Sequence, residues 1–311
     1  MTILVATNFD ETEWQAWWPL LEAALPGERL VRDRRDGDAS DIDAALVGNP
    51  PRGALQDLPS LRLIQSLWAG VDKLMADATV PVAVPLARMV DPAMNATMAE
   101  TALWAVLSLQ RGFFDYAEQQ RAGTWRQQAL QRADELTVAV LGLGEMGRAA
   151  AQALVRQGYR VTGWSTREAR VPGVLTHAGE AGLSRVLADA NVVVNLLPLT
   201  PATRGLFNAK TFARMPRGAS LVNLARGAHV VDADLLAALA SGHIARAVLD
   251  VFHTEPLPPD HAYWSHPRVT VLPHIAAPTD PRSAAAIAAA NVHALRAGRP
   301  LADLVDRARG Y

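Results

Sequence analysis

The chain has 311 residues, of which half are hydrophobic and a fifth are charged, and its formal net charge is -1. This globular composition excludes a disordered protein, and the length predicts two domains because it exceeds what one hydrophobic core usually supports. The balanced charge excludes a basic surface for nucleic acid, and the absence of cysteine excludes disulfides, iron–sulfur clusters and thiol catalysis.

No apolar run in the sequence reaches the roughly 20 residues that a membrane-spanning helix requires, and the longest, 102–109, is typical of a core helix. The segment 2–6 predicts a first strand, and no basic region precedes an apolar run there. We therefore expect a soluble cytoplasmic protein that binds neither membranes nor nucleic acid.

Short apolar runs recur along the chain and predict β-strands. They cover 3–6, 44–47, 61–66, 138–141, 160–163, 192–196, 221–224, 247–251 and 269–272. Segments with helical spacing separate them, such as 148–157 and 234–240. Continuous apolar strands between helices are typical of a parallel sheet covered on both faces, so the sequence predicts a doubly wound α/β fold.

Two Ala-rich segments, 93–120 and 282–297, predict long helices on either side of the block with the strongest strand–helix alternation, 138–272. Helices in these positions are expected to cross between domains. We predict one domain from 1–99 and 282–311 and a second from 100–281. The alternative is a single large sheet with two surface helices.

The segment 138–147 combines an apolar strand, the pattern Gly-x-Gly-x-x-Gly and the start of a helical run. Gly142 permits the tight turn, Gly144 lets the backbone approach a pyrophosphate, and Gly147 allows the helix to pack closely on the strand. The helix-start amides, at Glu145 and Met146, would face the phosphates. Glycines at such turns also serve packing alone, but the strand and helix on either side favour a dinucleotide site.

The next predicted strand indicates which cofactor is bound. An NAD site usually presents an acidic residue to the ribose 2′-hydroxyl about twenty residues after the glycines. Here the strand ends in Ser165, Thr166 and Arg167, without a carboxylate. A hydroxyl followed by a guanidinium suits a 2′-phosphate, so we predict NADPH (NADP) in preference to NADH. The alternative is that Arg167 and Arg170 are solvated loop charges.

Three polar residues, Arg226, Glu255 and His274, each follow a predicted strand in the second half of the chain. Ligands of open α/β sheets bind beyond the carboxyl ends of the strands, which is where all three are expected. Taken singly they have simpler interpretations as a surface charge, a loop acid and a buried histidine. Together with a nicotinamide site they form a coherent catalytic set.

These motifs carry a family resemblance that covers nearly the whole chain in order. The chain resembles the D-isomer-specific 2-hydroxyacid dehydrogenase family in four segments. They are the glycine-rich turn at 138–147, 223–227, 249–252 with 255–256, and 273–276. More narrowly, three further segments resemble the A-type glyoxylate/hydroxypyruvate reductases of that family. They are 195–198 with Thr203, 164–167 and the terminal 305–311.

The resemblance implies two Rossmann-like doubly wound domains, with the cofactor domain inserted into a discontinuous, flavodoxin-like substrate domain. It also implies cofactor contacts beyond the glycine-rich turn, with Asp250 near the nicotinamide amide group. The further contact residues are Leu197, Pro198, Thr203 and Ala225.

The resemblance further implies that hydride reduces the carbonyl of a small 2-keto acid, either glyoxylate to glycolate or hydroxypyruvate to D-glycerate. His274 is the expected general acid. Glu255 orients the imidazole and favours its protonated form, while Arg226 binds the substrate carboxylate and polarises the carbonyl.

The segment 66–72 resembles the family loop whose backbone amides bind the substrate carboxylate. The expected substrate-binding residues are Trp68, Ala69, Gly70 and Val71. The family commonly has glycine where Trp68 stands, and A-type reductases often have tryptophan where Gly48 stands. We hypothesise that Trp68 replaces the missing aromatic wall; the alternative is ordinary packing of a strand-end tryptophan.

The segment 121–125, which ends in Trp125, resembles the loop through which family members dimerise. The long Ala-rich helix before it offers a packing face for a second copy. We therefore expect a homodimer. His261 and His266 lack metal-ligand spacing, and we predict no metal site.

Two further functions are compatible with the same fold. One is reduction of a bulkier 2-keto acid, since Trp68 leaves substrate size open. The other is a non-catalytic, nicotinamide-sensing corepressor that acts by binding partners, although the sequence shows no added tail or basic patch. Turnover of 2-keto acids distinguishes these alternatives.

Overall fold

The structure is a computed structural model that describes residues 2–129 and 131–311. It divides into two compact units. The discontinuous unit comprises Met1–Met94 and Thr279–Tyr311, and the inserted unit comprises Asn95–Pro278. Each unit has its own parallel sheet with helices, which confirms the predicted α/β class.

Twelve strands and nine α-helices are assigned in the described ranges. The strands are β1 (Thr2–Thr7), β2 (Arg29–Val31), β3 (Ile42–Gly48), β4 (Leu63–Ser66), β5 (Leu86–Ala87), β6 (Thr137–Leu141), β7 (Arg160–Ser165), β8 (Leu175–Ala178), β9 (Val192–Asn195), β10 (Ala219–Asn223), β11 (Ile244–Leu249) and β12 (Val269–Val271). The helices are α1 (Glu11–Ala24), α2 (Asp72–Ala76), α3 (Pro92–Gln110), α4 (Phe113–Arg121), α5 (Glu145–Arg156), α6 (Gly179–Ala188), α7 (Ala209–Phe212), α8 (Asp232–Ala240) and α9 (Pro281–Arg296). No helix in the described part of the chain is both long and apolar enough to span a bilayer.

The inserted unit has a seven-stranded sheet in the order β12-β11-β10-β9-β6-β7-β8. Its strand pairs are parallel. The chain order reverses between β6 and β9, so the loops after these two strands leave in opposite directions. Such a switch point opens the crevice in which doubly wound sheets bind their ligands.

The discontinuous unit has a five-stranded parallel sheet in the order β2-β1-β3-β4-β5. This is the flavodoxin-like order, with its own reversal between β1 and β3. Strand β3 is buried at every position because helices and loops cover both faces of the sheet. Strand β4 pairs with β3 and is also buried at every position, so the loop after β4 begins at a well-packed strand.

Residues within one strand of the inserted sheet alternate between two hydrophobic clusters. Ala139 and Leu141 pack into one cluster, while Val138 and Val140 pack into the other on the opposite face. This alternation follows from the two-residue period of a strand. The central strands β6, β9 and β10 are buried on both faces, so polar chemistry near them is expected at the strand ends.

The prediction of a single helix over 93–120 is wrong. Helix α3 ends at Gln110 and α4 starts at Phe113, with Gly112 between them in the left-handed conformation at a φ of 64°. That conformation ends a helix, and glycine adopts it without a steric penalty. The prediction of a helix over 282–297 is confirmed by α9.

Helix α9 returns the chain to the discontinuous unit and is held there by polar contacts. Arg296 binds Glu28 with two hydrogen bonds of 2.7 and 2.9 Å and also binds the buried Asp43. The hydrogen bonds from Arg296 hold the pKa of Glu28 below its ordinary value. Asn291 donates to Gln65 of β4 at 2.6 Å. These contacts fix the last helix against the strand that precedes the 66–72 loop.

Candidate active site

The glycine-rich turn joins β6 to α5 in the inserted unit. Gly142 has a φ of 97°, and a Cβ atom there would lie 2.5 Å from the carbonyl oxygen of Leu196. A Cβ atom on Gly147 would lie 1.7 Å from the carbonyl oxygen of Gly142. Both positions therefore require glycine. Gly144 is exposed, and a Cβ atom there would meet no atom within 4 Å, so its backbone is open to a ligand.

This turn fits a pyrophosphate. Helix α5 has 12 residues, and Gly144 at its N-cap provides no side-chain hydrogen bond to the first turn. The amides at a helix start carry partial positive charge and need external acceptors. The predicted contacts at Glu145 and Met146 begin this first turn. A dinucleotide phosphate is the kind of acceptor such a turn binds.

The loop after β7 contains the residues predicted to select NADPH. Ser165 donates through its hydroxyl to the carbonyl oxygen of Arg167 at 2.6 Å, which folds the loop back on the strand end. Thr166 and Arg167 are exposed. Arg148, which sequence reasoning missed, donates to the carbonyl oxygens of Leu143 and Arg170, both at 3.0 Å. It thereby ties this loop to the glycine-rich turn.

The loop after β9 contains three of the predicted cofactor residues. Thr203 is buried, and its hydroxyl donates to the carbonyl oxygen of Pro198 at 2.7 Å. The amide of Leu197 donates to the side chain of Asn195 at 3.3 Å. The Thr203 hydroxyl thus closes the loop on itself.

Asp250 organises the backbone around His274. The Asp250 side chain is 1% exposed, and its carboxylate accepts hydrogen bonds from the amides of Ile275 at 2.7 Å and Ala276 at 3.0 Å. The main-chain oxygen of Asp250 accepts from the amide of His274 at 2.9 Å. Burial raises the pKa of this carboxyl, and the two amide hydrogen bonds oppose that rise.

His274 has a φ of 55°, a conformation that is unusual for a residue with a side chain. The Asp250 contacts hold it, because a buried amide such as that of Ala276 would cost about 1–3 kcal/mol if it lost its partner. The contacts of Asp250 in the structure are with the histidine loop, and its position near the nicotinamide amide group stays a prediction of the family resemblance.

Glu255 and His274 form a hydrogen-bonded pair. Nδ1 of His274 lies 2.8 Å from Oε2 of Glu255, and Oε1 of Glu255 accepts from the amide of Phe252 at 2.9 Å. The carboxylate is an acceptor, so Nδ1 carries a hydrogen and Nε2 is left to exchange a proton with a ligand. The His274 side chain is 50% exposed. The pair has the geometry of a histidine acid with a carboxylate that orients it.

Arg226 follows β10, the strand next to β11 in the sheet. One guanidinium nitrogen donates to the carbonyl oxygen of Ala225 at 2.7 Å, and the Arg226 carbonyl accepts from Asn223 at 2.9 Å. A Cβ atom on Gly227 would lie 2.0 Å from the carbonyl carbon of Phe252, so glycine is required for the two loops to pass. Arg226, Glu255 and His274 thus follow three adjacent strands.

The 66–72 loop belongs to the discontinuous unit. The Ser66 hydroxyl accepts from the amide of Trp68 at 3.0 Å and donates to its carbonyl at 2.9 Å. Across residues 2–129 and 131–311, the backbone amides of Ala69, Gly70 and Val71 have no protein acceptor. Successive free amides in a turn form a concave site for an anion.

Trp68 packs within an aromatic group at the same sheet edge. Its ring centroid lies 5.9 Å from those of Phe9 and Trp17, in edge-on arrangements. A Cβ atom on Gly48 would lie 3.3 Å from Cε2 and Cζ2 of the indole. The buried indole Nε1 has no hydrogen-bond partner among the described residues. The ring therefore covers the space that a side chain at position 48 would need.

A model of the NAD binding domain of D-isomer specific 2-hydroxyacid dehydrogenases matches residues 103–276. The chain is 42% identical over 308 residues to glyoxylate/hydroxypyruvate reductase A of Serratia proteamaculans, with 97% of each chain covered.

Solved structures of similar proteins agree with this match. A D-isomer specific 2-hydroxyacid dehydrogenase from Xanthobacter autotrophicus Py2, in complex with NADPH and MES, is 41% identical with a TM-score of 0.94 and covers 100% of this chain and 99% of its own. An NADPH-dependent glyoxylate/hydroxypyruvate reductase from Sinorhizobium meliloti, in complex with NADP and sulfate, is 33% identical with a TM-score of 0.93 and the same coverage. The chain is therefore an oxidoreductase that belongs to the D-isomer specific 2-hydroxyacid dehydrogenase family.

Proposed function

We propose that this protein is an NADPH-dependent reductase of glyoxylate or hydroxypyruvate that forms glycolate or D-glycerate. The observation that carries the proposal is the Glu255–His274 pair, which lies in the loops after β11 and β12, while Arg226 lies in the loop after the neighbouring strand β10. The relative from Serratia proteamaculans with this activity in its name supports the substrate class.

The inserted unit binds the cofactor in this proposal. Gly142, Gly144 and Gly147 admit the pyrophosphate to the start of α5, and Arg167 binds the 2′-phosphate. A 2′-phosphate repels carboxylates and forms charge-assisted hydrogen bonds with a guanidinium. Relatives crystallised with NADPH and with NADP support the preference.

The substrate is bound through its carboxylate. Arg226 presents a planar guanidinium that pairs with both carboxylate oxygens and polarises the neighbouring carbonyl. In the discontinuous unit, the amides of Ala69, Gly70 and Val71 form a concave backbone site that suits a carboxylate.

NADPH held by the glycine-rich turn and Arg167 would supply the hydride for the carbonyl carbon of the 2-keto acid. His274 donates the proton from Nε2 to the carbonyl oxygen, so that hydride and proton together convert the keto group to a hydroxyl. Glu255 accepts from Nδ1 throughout and stabilises the imidazolium before the transfer. The products are the 2-hydroxy acid and NADP.

A bulkier 2-keto acid is the second candidate substrate. The observation that favours it is the position of Trp68, whose indole lies against Gly48. Glycine stands at position 48, where A-type reductases often have tryptophan, so the pocket wall has a different shape and the substrate size has to be measured. A partner-binding role without turnover has no structural observation in its favour.

We also propose a homodimer that uses the inserted unit. The Trp125 side chain is 94% exposed, and Trp104 and Phe113 are exposed on the same unit. Indole side chains are enriched in the buried centres of interfaces because each buries a large apolar area.

Replacing His274 with glutamine tests the acid. His274→Gln is expected to lower kcat for glyoxylate by about 10²- to 10⁴-fold, because the amide cannot donate the proton. The Kd for NADPH, measured by tryptophan fluorescence, should stay unchanged. His293→Gln is the matched control, since His293 is exposed on α9. Near-full activity of His274→Gln would remove His274 from the mechanism.

Cofactor preference is tested at Arg167. Arg167→Ala is expected to raise the KM for NADPH by about 10- to 100-fold, the loss of a charged hydrogen-bonded pair, with little change for NADH. Arg156→Ala, on the exposed side of α5, is the control. If the wild-type enzyme uses NADH and NADPH with equal kcat/KM, Arg167 does not select the cofactor.

The effect of Trp68 and Gly48 on substrate size is tested by exchanging the tryptophan and the glycine between positions 68 and 48. Trp68→Gly is expected to raise kcat/KM for a branched 2-keto acid relative to glyoxylate by about 10-fold, because it enlarges the pocket. Gly48→Trp alone should lower Tm, since its Cβ atom would already lie 3.3 Å from the Trp68 ring. The double variant should recover that Tm loss. An unchanged substrate profile in Trp68→Gly would show that Trp68 serves packing.

The oligomeric state is measured by light scattering. The wild-type protein should have about twice the 33.4 kDa chain mass. Trp125→Glu should give a monomer, because a charge buried at an interface without a partner is costly. Trp264→Glu, another exposed tryptophan of the inserted unit, is expected to leave the dimer intact. A monomeric wild-type protein at assay concentration would contradict the proposal.

A further inference from the structure

Three polar side chains are completely buried between the loops that follow β9 and β10. Asn195 ends β9, Asn223 ends β10, and His229 lies in the turn Gly227–His229; each is 0% exposed. Buried polar groups are stable when they bond to one another or to the backbone. Their contacts therefore show what they hold in place.

Asn195 is the centre of this buried network. Its Nδ2 donates to Oδ1 of Asn223 and to Nδ1 of His229, both at 2.9 Å. Its Oδ1 accepts from the amide of Leu197, which fixes the orientation of the carboxamide. Because Nδ2 is a donor, Nδ1 of His229 must be an acceptor, and Nε2 carries the hydrogen. Nε2 then donates to the carbonyl oxygen of Pro198 at 3.3 Å.

The other end of the network reaches Arg226. Nδ2 of Asn223 donates to the carbonyl oxygen of Arg226 at 2.9 Å, and Oδ1 accepts from the amide of Ala225 at 3.3 Å. The network therefore runs from the carbonyl of Pro198, through His229, Asn195 and Asn223, to the backbone of Arg226. Each link has one donor and one acceptor, an arrangement that requires a neutral imidazole.

We propose that His229 is a positioning residue. Through Asn195 and Asn223, it fixes the position of the Pro198 loop relative to the Arg226 backbone. This inference rests on the proposed function, in which the Pro198 loop contacts the cofactor and Arg226 binds the substrate carboxylate. His229 itself contacts neither ligand. Backbone hydrogen bonds from Gly205 to Ala228 and from Phe207 to His229, both at 2.9 Å, join the two loops farther along. The effect of His229 on catalysis comes from fixing the Pro198 end of the first loop and the Arg226 end of the second.

Replacing His229 separates the two ends of the network. His229→Leu removes both hydrogen bonds. His229→Asn places an amide oxygen where Nδ1 accepts but does not reach Pro198, and His229→Gln places an amide nitrogen near Nε2 but loses the acceptor for Asn195.

We expect His229→Leu to raise both the Kd for NADPH and the KM for glyoxylate by about 10-fold, the loss of one to two buried hydrogen bonds at each loop. His229→Asn should raise mainly the Kd for NADPH. His229→Gln should raise mainly the KM for glyoxylate. Each polar variant should thus restore the half of the network that it can still form.

His243→Leu is the matched control. Its Nε2 also bonds a backbone carbonyl in the inserted unit, that of Phe212 at 2.7 Å. It should lower Tm and leave KM and Kd unchanged, because neither of these constants depends on the fraction of folded enzyme. If His229→Leu behaves like His243→Leu, the network stabilises the fold without positioning the loops, and the proposal is wrong.

The outcome remains interpretable if the proposed function fails. A wild-type protein that reduces no 2-keto acid with either nucleotide would refute the proposed function. The Kd for NADPH, measured by tryptophan fluorescence, then shows whether His229 positions the Pro198 loop. An unchanged Kd in both His229→Leu and His229→Asn would overturn it.

Discussion

A parallel sheet that is buried on both faces leaves chemistry to the ends of its strands, and this constraint governs the whole molecule. The central strands β6, β9 and β10 of the inserted unit are buried along almost their whole length between two hydrophobic clusters. Parallel pairing brings the carboxyl ends of β9 to β12 to one edge. Arg226, Glu255 and His274 all lie in the loops beyond that edge.

Loops at a sheet edge need partners for backbone groups that no strand satisfies, and in this protein short polar side chains supply them. Asp250 binds two amides of the His274 loop, Glu255 binds the amide of Phe252, and Ser66 binds the backbone of Trp68. Such contacts fix the conformation of these loops at the sheet edge.

Glycines and aromatic rings set the geometry of the loops within each unit by steric fit. Gly147 and Gly227 each admit a backbone approach that any Cβ atom would block. Gly48 differs, because its neighbour there is the Trp68 indole. Positions 48 and 68 therefore act as one unit, in which a large ring at one requires a small residue at the other. A substitution at either position has to be interpreted with its partner.

The sequence by itself determined the α/β class and the dinucleotide turn, and it predicted that Arg226, Glu255 and His274 follow strands, because periodicity, glycine spacing and strand-end position are local properties of the chain. Local pattern failed at Gly112, which ends a helix inside a helical pattern, and at the short edge strand β8, which lacks a continuous apolar run. Only the tertiary structure decided which hydrogen bonds are made by Asp250, by Arg148 and by the Asn195–Asn223–His229 network. Their partners lie on other loops, and hydrogen bonds between loops leave no periodic signal in the sequence, since they depend on which strands become neighbours.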